Sequence, residues 1–142
     1  MDLDELSRQI DPDQQSGLKL LPLIGRGERF PVDDPDLVPI LTPRPVSDAL
    51  YLHGLLEGLS QIERQGWTKL TELGAPAPKR LVTLGGGARN PQWRRMRQRL
   101  LGVPIRSCYS PPAAGVARLA LTALQQQDDQ ISCSRRESVE LP

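Results

Sequence analysis

The sequence predicts an α/β fold, and three observations predict it. Leu52, Leu55, Leu56, Leu59 and Ile62 recur at i, i+3, i+4, i+7 and i+10, the stripe of an amphipathic helix. Arg80-Leu81-Val82-Thr83-Leu84 is β-prone, ends on Gly85-Gly86-Gly87, and feeds Asn90-Pro91, an N-cap followed by a proline at the first helical position. A second β-prone run, Val103–Cys108, follows that helix and precedes a helix of small residues, so the order is helix–strand–helix–strand–helix. Two strands fall short of the about 4–6 of a modal sheet and leave both edges open, so the chain is expected to be part of a larger domain or to need a partner.

The elements follow in order. Residues 1–17 are read as a polar lead-in. Seven of the 14 prolines lie between Pro12 and Pro45, each fixing φ and removing a donor, which excludes a long helix or a central strand there. Leu18–Ile24 and Arg29–Val32 are apolar enough to pack as short strands or docked loop, separated by Gly25-Arg26-Gly27. Ser47 or Asp48 caps the leucine-striped helix, Gly66 is expected to break it, and Trp67, Leu70 and Leu73 predict a second short helix ending at Gly74. The connector Ala75-Pro76-Ala77-Pro78 leads to the first strand. The helix after Asn90 is predicted to reach about Leu101, with Trp93, Met96 and Leu100 as its apolar stripe and Gly102 as its stop. The last helix is predicted from Ala113 to about Gln126, and residues 128–142 form a polar, frayed tail. The main domain is thus expected over 18–127.

Composition narrows the function classes. The 142 residues are 38% hydrophobic and 25% charged, the balance of one modest soluble domain. No run approaches the roughly 18 apolar residues of a membrane span, and Met1-Asp2-Leu3-Asp4-Glu5 is acidic where a secretory signal is basic, so a cytoplasmic protein without membrane contact is expected. Cys108, Cys133 and the single His53 give neither a disulfide framework nor a metal-ligand set. His53 and Glu57 are four apart on one helix face; a contact along the helix is a commoner explanation than a catalytic pair.

The net charge of +1 conceals a division: residues 1–72 carry 13 acids against 7 Lys+Arg, and residues 73–127 carry 9 Lys+Arg and no acid. Such a stretch attracts phosphates, or it neutralises the acidic half of the same fold. Arg89, Arg94, Arg95, Arg97, Arg99 and Arg106 beside Trp93 also suggest a nucleic-acid patch. Helical spacing divides that display between two sides, and a solvated helix face explains it better than nucleic acid does.

A strand ending in three glycines and entering a capped helix lets backbone approach a ligand closely, with the helix N-terminus offering N–H groups and a positive dipole end. The spacing is neither GxGxxG nor a GK[ST] loop, and by itself it equally fits a tight strand-to-helix turn. Asn90 caps the helix or bonds the ligand.

The run Thr83-Leu84-Gly85-Gly86-Gly87-Ala88-Arg89-Asn90-Pro91-Gln92-Trp93, with Leu101-Gly102-Val103-Pro104, resembles the C-terminal domain of the FGGY carbohydrate kinases. Gly27-Glu28-Arg29-Phe30-Pro31 resembles that family's GER-x-P segment, Leu55-Leu56-Glu57-Gly58-Leu59 its LEG helix, and Ala113-Ala114-Gly115-Val116-Ala117 its last helix. The match runs in order from about Leu18 to Leu121 and is nearest to the D-ribulose and D-xylulose kinase-like branch of cyanobacteria and plants. Gln98-Arg99 and Ser110-Pro111-Pro112 depart from the family pattern, the first adding positive charge beside the glycine turn.

The resemblance implies part of an actin-like, ribonuclease-H-like domain that closes with a second domain on MgATP and a sugar. It implies ATP and Mg2+ as cofactors and a pentulose or related sugar as acceptor, with Gly85, Gly86, Gly87, Ala88 and Asn90 as nucleotide contacts. Trp93 and Met96 are read as core. The catalytic aspartate belongs to the family's N-terminal domain, and no catalytic residue is carried over to this chain. The expected protein is therefore the C-terminal portion of a sugar kinase, working with an N-terminal kinase half or as a homodimer. The alternative is an inactive, truncated remnant serving as a nucleotide-binding or interaction module.

Overall fold

The computed structural model describes residues 2–108 and 111–137. It departs from the expected lead-in at once: Asp2 Oδ1 accepts a hydrogen bond from Asp4 N–H (3.0 Å) and caps α1, Leu3–Arg8. This six-residue helix buries Ser7 and is followed by Ile10, which enters the core. Past Ile10 the chain runs as docked loop, tied by isolated antiparallel bridges between Leu21 and Ile40 and between Glu28 and Asp34.

Helix α2 spans Asp48–Glu72, opened by Ser47, whose Oγ accepts from Leu50 N–H (3.2 Å). Gly66, expected to break it, lies inside it, and the predicted second short helix is its continuation. The reason is tertiary. A Cβ at Gly66 would fall on the ring of Phe30, so the missing side chain makes a socket for an aromatic residue of the GER-x-P segment. That contact offsets the roughly 1 kcal/mol that glycine costs a helix interior.

The buried face of α2 is also rotated from the leucine stripe. His53, Leu56, Glu57 and Ser60 are buried while Leu59 is 39% exposed. Two neighbours share the helix: Leu18, Leu20 and Pro22 cross it at Gly54 and Gly58, where a Cβ would meet Leu18 Cδ1 at 2.8 Å and the Leu20 carbonyl at 2.6 Å. The second neighbour is the helix that follows the glycine turn.

Strand β1, Leu81–Thr83, leads through a 3-10 turn at Gly86–Arg89 into α3, Pro91–Leu101, and back to β2, Ile105–Ser107. The strands pair in parallel with Leu81 opposite Ile105, and both lie in the β-prone runs of the sequence. Asn90 Oδ1 accepts from Trp93 N–H (3.0 Å) and Gly102 ends α3 at φ 70°, both as expected. Ile10, Leu56 and Met96 form the core, with Leu52, Trp93 and Leu100 packed against it, so α1, α2 and α3 share one apolar centre. Among the described residues the sheet has two strands. Val82 on β1 and Leu84 just past its end, alternate residues along the chain, are 60% and 50% exposed, on a face that parallel sheets ordinarily cover.

The chain divides into two units, Met1–Cys108 and Tyr109–Pro142. The second holds α4, Pro112–Glu137, which extends beyond the Gln126 expected; residues 138–142 of the predicted tail, and Ser110, lie outside the described residues. Among the described residues no helix is long and apolar enough to cross a membrane.

Candidate functional site

The site grows from the exit of β1. Gly85 adopts φ 87° and ψ −168°, a conformation L side chains rarely take, which turns the chain out of the sheet. Gly86 and Gly87 open the 3-10 turn, so their N–H groups precede its first internal bond, from Ala88 N–H to the Gly85 carbonyl (3.3 Å). A Cβ at Gly86 would meet nothing within 4 Å, whereas one at Gly87 would fall on the Trp93 ring. One glycine is thus demanded by backbone conformation, one by packing, and Gly86 by neither.

Three hydrogen bonds pin the turn to its neighbours. Ser107 Oγ on β2 donates to the Ala88 carbonyl (2.9 Å). Asn90 Nδ2 donates to Ser7 Oγ on α1 (2.8 Å), and Trp93 Nε1 donates to Ser60 Oγ on α2 (3.0 Å). Ser60 is fully buried and passes its own hydroxyl proton bond to the Leu56 carbonyl (2.7 Å), so the network is anchored in the core. Such a turn is held in shape before any ligand arrives.

The predicted residues divide by role. Gly85, Gly86 and Gly87 are exposed; Ala88 is buried, with N–H and carbonyl both engaged inside the protein. Asn90 takes the capping role, leaving one amide N–H beyond the bond to Ser7. The α3 N-terminus itself offers little, since Pro91 has no N–H and Trp93 N–H is capped by Asn90.

Two clefts flank the turn. One, of about 570 Å3, lies between α1 and the turn and is lined by Asp4, Ser7 and Arg8 on one side and Gly86, Arg89 and Gln92 on the other. The other, about 390 Å3, is bounded by Phe30, Leu59, Leu84, Trp93 and Arg97. Helix α1 lies outside the site that the sequence predicts, although Asp2 as a cap and Leu3, Leu6 and Ile10 at i, i+3 and i+7 carry a helical signal. Six helical residues are too few to stand out without their packing partners.

The arginines of α3 are spent internally. Arg94 donates to Ser107 Oγ (2.9 Å); Arg95 makes a two-pronged pair with Asp13 (3.0 and 2.5 Å), and Arg97 makes one with Glu63 in which each bond is 2.7 Å. Arg99 reaches Glu57 (2.7 Å) and the carbonyls of Pro12 (2.9 Å) and Gln14 (3.0 Å). Arg95, Arg97 and Arg99 thus pair with acids of residues 1–72, in line with the second of the readings the charge allows, while Arg94 bonds a serine. Arg99 sits near the far end of α3 and faces α2, so the expectation that it adds charge beside the glycine turn is corrected.

The His53–Glu57 pair is likewise structural in its geometry. His53 Nε2 lies 3.8 Å from Glu57 Oε1 and makes no hydrogen bond, while Glu57 Oε2 accepts from Ser16 Oγ (2.5 Å) and Ser16 N–H (2.9 Å). Burial works to raise the pKa of Glu57; the Ser16 hydroxyl, Arg99 and the Ser16 N–H, aided by His53, outweigh it and hold the carboxyl below its ordinary range. A lowered folded pKa means stability that is fully present above the unfolded value and lost as pH falls through the folded one. Urea unfolding at pH 7 and pH 4 should therefore show a steeper loss for the native chain than for Glu57→Gln, and equal losses would contradict the assignment.

The model of the FGGY family of carbohydrate kinases, C-terminal domain, matches residues 4–124, which include α1 from Asp4 onward, the glycine turn and both strands.

Proposed function

The chain belongs to the FGGY family of carbohydrate kinases, as its C-terminal domain, and from that premise we propose that it supplies the adenosine-binding side of an ATP site for phosphoryl transfer to a sugar hydroxyl, with a pentulose as acceptor. The observation that carries this reading is the turn at Gly85–Gly87, bare of side chains, pinned on three sides and open above Gly86. Phosphoryl transfer asks little covalent chemistry of a protein and a great deal of positioning, which a preformed turn supplies.

In this reading Gly85, Gly86 and Gly87 present backbone to the nucleotide, while Ala88 and Asn90 hold the turn, Asn90 keeping one N–H for the ligand. The fold frame is actin-like and ribonuclease-H-like, two domains closing on the nucleotide in the cytoplasm, and the pentulose branch is the ribulose and xylulose one. The aspartate that accepts the sugar hydroxyl proton is assigned to an N-terminal kinase domain, as the family resemblance implies. Among the described residues no group of three His, Cys, Asp or Glu is gathered that could hold a metal, so no step is assigned to magnesium on this chain.

A second reading, a nucleotide-binding or interaction module without catalysis, is favoured by the exposed apolar side chains of Val82 on β1 and of Leu84 just beyond it. Affinity purification of the tagged endogenous protein with mass spectrometry, followed by assay of the recovered material on pentuloses with MgATP, separates the two. Co-purification of a chain carrying an N-terminal kinase domain, with transfer that requires both, is the expected result. Recovery of this chain by itself, inert in the assay, would favour the module.

A further inference from the structure

A third cavity, of about 510 Å3, lies where the docked loop crosses α2 near the last turn of α3, and its lining shares no residue with the two clefts beside the glycine turn. Its volume falls within the about 300–1,000 Å3 of small-molecule sites. Most of the wall is aliphatic: Leu18, Leu20 and Leu21 from the loop, Ile40 bridged to Leu21, and Leu100 from α3. The loop is already fixed in place. Ser16 bonds Glu57, Leu20 packs at Gly58, and the two backbone bonds between Leu21 and Ile40 measure 2.8 and 3.0 Å. The walls therefore stand before a ligand arrives.

The polar part of the lining selects the head group. The Glu57 carboxylate is engaged on both oxygens, Oε1 by Arg99 and Oε2 by Ser16, and the guanidinium offsets its charge. Lys19, by contrast, makes no hydrogen bond or ion pair among the described residues, and neither do the side chains of Gln15 and Gln61. The lining thus holds one uncompensated positive charge and two amides with donors to give. A cationic amphiphile meets its own sign at Lys19 and finds Glu57 taken. A bare anion such as inorganic phosphate leaves the aliphatic wall facing water. We infer that this cavity binds an aliphatic carboxylate of medium chain length, its tail against the leucines and Ile40 and its head group paired with Lys19. The inference is independent of the glycine-turn reading.

The test is calorimetric titration of the full chain at pH 7 with octanoate, hexanoate, octanol and octylammonium. Octanoate should bind most tightly, and hexanoate should be weaker by about fourfold for each methylene removed. Lys19→Met keeps the stem of an exposed residue without partners; it should weaken octanoate by about fivefold, the upper end for an exposed ion pair, and leave octanol unchanged. Ile40 is 49% exposed and its bridge to Leu21 uses backbone alone, so Ile40→Asn should stay folded by thermal melting and weaken octanoate and octanol alike. Octanol or octylammonium binding as tightly as octanoate, or octanoate affinity unchanged in Lys19→Met, would overturn the carboxylate head group. Equal affinity for hexanoate and octanoate, unchanged affinity in a folded Ile40→Asn, or no octanoate binding by the native chain would overturn the cavity as the site. Should Ile40→Asn unfold, the chain-length series and Lys19→Met decide the matter.

Discussion

Gly86→Val is expected to leave the chain folded and to weaken MgATP binding by at least about a hundredfold, roughly 3 kcal/mol. The two parts of that expectation have separate grounds. A Cβ at Gly86 meets nothing in the protein within 4 Å, and the residue lies outside the left-handed region that excludes side chains, so valine costs the fold only its stiffness at χ1. The same open space is what the ligand is proposed to fill, and a branched side chain would occupy it. The neighbouring glycines cannot give so clean a result. Gly85 sits at φ 87°, where any substitution is strained, and a side chain at Gly87 displaces the Trp93 ring. Thermal melting together with calorimetric titration reads both halves; unchanged affinity in a folded variant would remove the turn from the site.

Arg99→Ala is expected to destabilise the chain by about 3 kcal/mol, the lower end of the range for breaking a buried pair, because the Arg99 side chain is 24% exposed. Its loss strands a carboxylate, Glu57, whose side chain is 11% exposed, and removes the donor of the Pro12 and Gln14 carbonyls. Arg95→Ala is the matched control on the same helix. Its pair with Asp13 is 65% and 49% exposed, and pairs of that kind contribute about 0–1 kcal/mol. Denaturant midpoints for the two variants should therefore differ clearly; similar midpoints would mean that Glu57 is held by Ser16 alone.

What could be read from the sequence is what local chemistry decides. Asn90-Pro91 and Gly102 bracket α3 because capping, proline placement and a left-handed glycine act within a few residues, and both strands lie in the β-prone runs on either side. The glycine turn was legible as a turn for the same reason. Gly66 was misread because its meaning lies in the Phe30 ring, thirty-six positions away, and propensity alone sees only a helix breaker. The arginines of α3 are ambiguous in the sequence because the acids that pair with three of them, Asp13, Glu57 and Glu63, come from distant parts of the chain. The α1 wall of the cleft was invisible for both reasons together, a helix too short to announce itself and a neighbour far along the sequence.

Trp93 stands in the wall of both clefts, its indole N–H held by a fully buried serine and its ring 5.5 Å from the Arg97 guanidinium carbon. The chain has one other tryptophan, Trp67, on α2, so a Trp67→Phe background leaves a single fluorophore at the glycine turn. Its emission maximum and its quenching by added acrylamide then report the polarity and accessibility of the turn directly, which gives the site an intrinsic optical readout without a label.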